Sequence, residues 1–134
     1  MNDSDAPSST EVRALVVDDD PTNRRVLELI LESKGVESAS AVNGLEAVDA
    51  FRQGSFDVVL MDLQMPVMNG YDAIREIRSF EASRRAARTP VVVVSAYTRA
   101  RDLELSAAAG ADLHLGKPVN VQQLLGALEA LTGH

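Results

Sequence analysis

The chain has 134 residues, enough for one domain with a buried core and too few for two. Apolar residues make up 46 % and charged residues 25 %, and the formal charge of -7 argues against binding nucleic acid through the overall field and for a cation site. The absence of cysteine excludes disulfides, thiol chemistry and thiolate-bound metals and fits a reducing, cytoplasmic compartment. No apolar run approaches the roughly 20 residues that cross a bilayer, and the first five residues have no signal-peptide character.

Residues 1–10, MNDSDAPSST, are small, polar and acidic and are expected to form a disordered tail or linker. Val12 to Val17 then reads as a buried strand that ends in Asp18-Asp19-Asp20. Asp20 before Pro21 suits a helix N-cap followed by proline at the first helical position. That helix carries Val26, Leu27, Ile30 and Leu31 on one face and stops at Gly35. Asp20 therefore has a structural task, and Asp18 and Asp19 have none at this level. Val36 to Val42 alternates weakly, as a short outer strand does. Asn43-Gly44 reads as a turn, and Leu45, Ala47, Val48 and Phe51 give helical spacing up to Gly54.

Val58 to Met61 contains no polar residue, so both faces of this segment are expected to be buried, as in a central parallel strand. Asp62 stands at its carboxyl end and Pro66 stops it soon after. A loop, Met65 to Gly70, leads into a helix with Ile74 and Ile77 inward and a polar continuation from Ser79 to Arg88. Arg84, Arg85 and Arg88 in that continuation read as a solvated helix end, with a contact site for an acidic partner as the alternative. Pro90 precedes Val91 to Val94, a strand apolar enough to be central, which ends at Ser95. An Ala-rich helix runs to about Ala109 and closes at Gly110. Ala111 to Gly116 is the last strand, ending at Lys117-Pro118, and a final amphipathic helix uses Val121, Leu124, Leu125, Leu128 and Leu131. Strand and helix alternate five times, which implies an α/β, doubly wound parallel sheet with right-handed crossovers and helices on both faces.

If the strands are parallel, Asp18-Asp19, Asp62, Ser95 and Lys117 share one edge of the sheet, the edge at which open α/β sheets bind ligands. Three close carboxylates repel one another, and a divalent cation and the ammonium of Lys117 would relieve that repulsion. The donors are hard oxygens without His or Cys, which points to Mg²⁺, with Mn²⁺ as the alternative. Mg²⁺ commonly completes its shell with phosphate oxygens. Asp62 is then the natural nucleophile for an aspartyl phosphate, formed by positioning and charge neutralisation.

Four segments carry a resemblance: Leu15-Val16-Val17-Asp18-Asp19-Asp20, Leu60 to Gly70, Val94-Ser95-Ala96 and Gly116-Lys117-Pro118. In this order and at these strand ends the chain resembles the receiver domains of two-component response regulators, with the domain spanning 11–132. The resemblance implies a flavodoxin-like fold with five strands in the order 2-1-3-4-5. Asp62 would be the phosphoacceptor, and Asp19, Asp62 and the backbone carbonyl of Gln64 would hold the metal, with Asp18 acting through water. Ser95, Ala96 and Lys117 would receive the phosphoryl group, and a cis peptide is expected before Pro118. His114 occupies a place where many members carry a switching Tyr or Phe, which leaves an aromatic rotamer switch without its usual residue. The Asp62 loop, followed by Tyr71-Asp72-Ala73, is similar to receivers attached to hybrid histidine kinases.

The expected function is a phosphorelay switch and not a turnover enzyme. A histidine kinase or histidine phosphotransfer protein would load Asp62. The face built from the helix after Ser95, the strand of His114 and the last helix would meet a downstream protein, with no nucleic-acid or membrane partner. Gln64 and Tyr97, two residues beyond Asp62 and Ser95, are placed to orient or exclude the water that removes the phosphoryl group. A hydrolase of the haloacid dehalogenase type would need an Asp where Gln64 stands; a receiver-like scaffold that binds without phosphorylation is the other alternative. No output domain fits after the last helix, so the chain is expected to be a stand-alone regulator or part of a longer protein.

Overall fold

The structure, a computed structural model, describes residues 12–133; the tail or linker expected at residues 1–10 lies outside them. Five strands, β1 (Arg13–Val17), β2 (Glu37–Ala41), β3 (Val58–Met61), β4 (Val91–Ser95) and β5 (Leu113–Gly116), alternate with five helices. These are α1 (Pro21–Ser33), α2 (Gly44–Gln53), α3 (Gly70–Arg84), α4 (Ala100–Ala109) and α5 (Val121–Thr132). All neighbouring strands are parallel and the sheet order is β2-β1-β3-β4-β5. The expected doubly wound α/β sheet is therefore present, with its strand order.

The apolar runs become central strands because both of their faces are covered. Along β1, Ala14 and Val16 face a core closed by α1 and α5, while Leu15 and Val17 face one closed by α2 and α3. Strand β3 repeats this with Val58 and Leu60 on the first side and Val59 and Met61 on the second, all four at 0 % exposure. A fully buried aliphatic side chain of this size contributes roughly 1.5–3 kcal/mol, so the three central strands carry much of the stability. The outer strand β2, ESASA, is short and polar and is only partly covered, as an edge strand should be.

The helices begin where the caps dictate. Asp20 accepts from the amides of Thr22 and Asn23 ahead of α1, as expected. Asn43-Gly44, read as a turn, is instead the N-cap and first residue of α2. Asn43 Oδ1 accepts from the Glu46 amide at 2.8 Å, and Glu46 Oε1 accepts from the Val42 amide at 3.0 Å. Glycine is required at 44 because a Cβ would collide with the Met68 carbonyl oxygen, which accepts from the Gly44 amide. Three apolar residues assigned to inner faces are turned outward: Val26 on α1, Leu45 on α2 and Val121 on α5, exposed by 44, 47 and 45 %. Helix α3 stops at Arg84 with Arg85 as its left-handed cap, so the Arg-rich stretch to Arg88 is not one helix end.

Candidate functional site

The chain passes from β1 to β2 on one side of the sheet and then returns to β3 on the other. The crossovers thus diverge above β1 and β3, and a crevice opens at their carboxyl ends. Asp18 and Asp62 directly follow those strands and lie in that crevice, buried at 1 and 7 % exposure, with Asp19 exposed beside them. A carboxylate oxygen from each of the three lies within 4.8 Å of the others. Lys117, just beyond β5, reaches in with Nζ 2.8 Å from Asp18 Oδ2 and 3.6 Å from Asp62 Oδ1. The Lys117-Pro118 peptide is cis, as the resemblance implies.

Asp18 also has a local task that its sequence position did not show. Its Oδ1 accepts from the Asp20 amide at 2.9 Å, and its main-chain carbonyl accepts from the Arg24 guanidinium at 2.8 Å. Arg24 was not singled out from the sequence. Its signal was a basic residue near the start of a helix, against the preference of the helix dipole. Asp62 Oδ1 accepts from the Leu63 amide at 2.9 Å.

Burial, and then the neighbouring charges of Asp18 and Asp19, push the Asp62 pKa above its ordinary 3.8, against the opposing pull of Lys117 and the Leu63 amide. Burial also lowers the Lys117 pKa, but its hydrogen bond to Asp18 and the charges of Asp62 and Asp18 outweigh that, leaving it raised and the ammonium firmly charged. One ammonium and two amides do not compensate three carboxylates. The cluster suits a hard divalent cation: its donors are carboxylate oxygens, close enough to share one ion and partly open to water.

The loop after Asp62 is held tightly. The Gly70 amide donates to the Leu63 carbonyl at 3.0 Å, and a Cβ at Gly70 would collide with the Asp62 carbonyl oxygen. The Met68 amide donates to the Pro66 carbonyl at 2.8 Å across Val67, whose φ is +71°. This is the rare, strained form of the γ-turn, occupied here by a β-branched residue that is 77 % exposed. Nothing in the sequence signalled it, because the backbone geometry runs against the preference of valine.

The remaining expected residues lie in three places. Gln64, Ala96 and Tyr97 line a cavity of about 580 Å³ beside Asp62, together with Leu63, Tyr71 and the first turn of α4. Ser95 is fully buried at the end of β4, paired in register with Gly116; its Oγ accepts from the Tyr97 amide at 3.0 Å and its carbonyl from the Lys117 amide at 2.9 Å. His114 stands apart from the carboxylates on β5. Its Nε2 lies 2.7 Å from the Tyr97 carbonyl oxygen and its Nδ1 2.9 Å from Ser106 Oγ. Among the described residues no helix is long and apolar enough to cross a membrane.

Against known proteins, the family model for the response regulator receiver domain matches residues 14–129. The sensor protein GacS of Pseudomonas syringae pv. syringae is 38 % identical over 126 residues, which cover 94 % of this chain and 14 % of GacS. The chain thus spans about one seventh of the length of that relative. A solved receiver domain of the sensor histidine kinase PA1611 from Pseudomonas aeruginosa, with a magnesium ion coordinated in its active site cleft, is 33 % identical with a TM-score of 0.83. That match covers 93 % of this chain and 100 % of the other. A chain in the co-crystal of the Saccharomyces cerevisiae histidine phosphotransfer signaling protein Ypd1 with the receiver domain of its downstream response regulator Ssk1 is 28 % identical. Its TM-score is 0.88, over 92 % of this chain and 90 % of that one.

Proposed function

The chain belongs to the response regulator receiver domain family, and on that premise we propose that it is a phosphorylation-dependent switch whose phosphoacceptor is Asp62. The observation that carries this reading is the juxtaposition of three carboxylates within 4.8 Å with Lys117 2.8 Å from one and 3.6 Å from another.

In the proposed step a carboxylate oxygen of Asp62 attacks the phosphorus of a phosphohistidine on a histidine kinase or phosphotransfer protein. The new O–P bond forms as the N–P bond breaks, and the imidazole leaves and regains its proton from solvent. Mg²⁺ bound by Asp19, Asp62 and the Gln64 carbonyl, with Asp18 through water, would supply positive charge for the phosphoryl oxygens. Lys117 is already seated against the attacking carboxylate and adds a second, permanent cation. Ser95 supplies a hydroxyl for a phosphoryl oxygen, and the small side chain of Ala96 leaves room for the donor's imidazole. Tyr97 and Gln64 line the adjoining cavity, through which water would reach the phosphoryl group.

The downstream surface in this reading is the face of α4, β5 and α5. Leu103 and Leu113 are exposed there by 42 and 38 %, and they border an apolar hollow of about 290 Å³ with Ala107 and His114. The location would be cytoplasmic, with no nucleic-acid partner. Incubation with acetyl phosphate and Mg²⁺ followed by intact mass tests the reading. A stable increment of one phosphoryl group is expected; no increment would identify a scaffold, and rapid turnover of the donor without an increment a hydrolase.

A further inference from the structure

Accepting Asp62 as the phosphoacceptor, we propose that His114 is a positioning residue for the reaction there, holding in place the wall of the cavity through which water reaches the phosphoryl group. The wall is the segment Ala96 to Thr98, which leaves β4 after Ser95 and lines the cavity together with Gln64. The Tyr97 residue is gripped at both ends of its backbone. Its amide donates to Ser95 Oγ at 3.0 Å, and its carbonyl oxygen lies 2.7 Å from His114 Nε2.

A carbonyl only accepts, so His114 carries a proton on Nε2 and donates it to Tyr97. In the neutral ring Nδ1 is then an acceptor, and the Ser106 hydroxyl, 2.9 Å away, is its donor. Ser106 is at 1 % exposure, one of only two buried residues that α4 contributes. It has a second acceptor in the Leu103 carbonyl at 3.1 Å, to which its proton can turn. The imidazole is thus a strut between one of the two buried positions of α4 and the loop that lines the cavity. Beside it, Thr98 packs so closely on β5 that a Cβ at Gly116 would come within 2.9 Å of Thr98 Cγ2. A phenyl ring at 114 has similar bulk and no N–H to hold the Tyr97 carbonyl.

The test is the decay of the phosphorylated protein, loaded with acetyl phosphate and Mg²⁺ and followed by intact mass. It is run for wild type, His114→Phe, His114→Gln and Ser106→Ala, with amide hydrogen exchange of Tyr97 and Thr98 measured on the unmodified proteins. His114→Phe should decay faster by about threefold, the scale of one neutral hydrogen bond. It should also exchange faster at Tyr97 and Thr98. His114→Gln, whose amide offers an N–H near the place of Nε2, should restore wild-type decay and exchange. Ser106→Ala, which frees one end of the strut, should shift both readouts in the same direction by less. Equal decay in wild type and His114→Phe overturns the proposal, as does an equal acceleration in His114→Phe and His114→Gln, which would mean that ring packing and not the hydrogen bond matters. Failure of the wild type to gain a phosphoryl group would overturn the reading of Asp62 and this one together, whereas normal loading with unmoved decay overturns this one alone.

Discussion

At the amino edge of the sheet, Arg78 on α3 donates to Glu81 at 2.7 Å, to Asp112 at 2.9 Å and to the carbonyls of Thr89 and Gly110. Arg88 takes the other oxygen of Asp112 at 3.0 Å, and the amides of Thr89 and Val91 complete the two carboxylates. Two guanidiniums meet two acids, and backbone groups fill the remaining valences. At the carboxyl edge, Asp18, Asp19 and Asp62 meet the one ammonium of Lys117. The first cluster is neutral and complete, so it needs nothing from solution. The second carries an excess of negative charge in a partly buried crevice, which costs stability and creates affinity for a cation. The difference shows how charge can be neutralised within a domain at one end and left open to a ligand at the other.

The contrast can be broken most directly at Asp62. Asp62→Asn should abolish the mass increment from acetyl phosphate while the fold persists; an increment of normal lability in this variant would mean that the carboxyl edge is not the reactive one. At the amino edge the effect should fall on stability. Arg78→Ala leaves Glu81, at 7 % side-chain exposure, and Asp112 without their shared cation. It should destabilise the protein by about 3 kcal/mol in urea unfolding, with labelling of Asp62 preserved. A loss within error of zero would show the network to be decorative.

Mg²⁺ should stabilise the wild type by mass action, by about 1.4 kcal/mol at a tenfold excess over its Kd. The gain should disappear in Asp19→Asn, and an equal gain in both proteins would place the ion elsewhere. Tyr97→Ala should quicken decay of the phosphorylated form about fivefold, near 1 kcal/mol, as expected of a steric shield. Unchanged decay would leave Gln64 as the nearer control on water.

The smallest effect sharpens the contrast through pH. The folded protein holds the Asp62 proton more tightly than the unfolded chain, whose value is 3.8. Stability from this group is therefore full below 3.8 and is lost as pH rises through the elevated folded value. In Mg²⁺-free buffer, Asp62→Asn should melt higher than wild type at neutral pH, and the gap should close in acid. A gap that widened in acid would reverse the sign.

The carboxyl edge was far more legible in the sequence than the amino edge. Asp18, Asp62 and Ser95 each follow an apolar run, Lys117 follows the last strand, and a parallel sheet brings the ends of such strands together without further information. Arg78, Arg88 and Asp112 come from a helix and two loops, 24 and 34 residues apart in the pairs they form, and periodicity carries no trace of such contacts. Hence Arg88, grouped with Arg84 and Arg85 as a solvated helix end, is in fact bound to Asp112, while Arg84 lies over the Phe80 ring. Val26, Leu45 and Val121 were misplaced for a related reason: an apolar residue at the margin of a helical stripe fits the pattern whether it is covered or not. Val26 lines a hollow with Lys117 and Pro118, so its exposure borders the site.

The Arg78 network also bears on mechanics. Helix α3 is pinned at its start, where Gly70 sits against the backbone of Asp62, and near its end, where Arg78 and Glu81 grip the segment before β4. Helix α4 buries only Ser106 and Ala109 and leaves most of its length in solvent. Two helices tied down to unequal degrees thus flank Asp62, the proposed phosphoacceptor. In the proposed switch, a displacement that began at Asp62 would meet a firmly tied helix on the α3 side and a sparsely buried one on the α4 side, and the lower resistance would direct the motion toward α4.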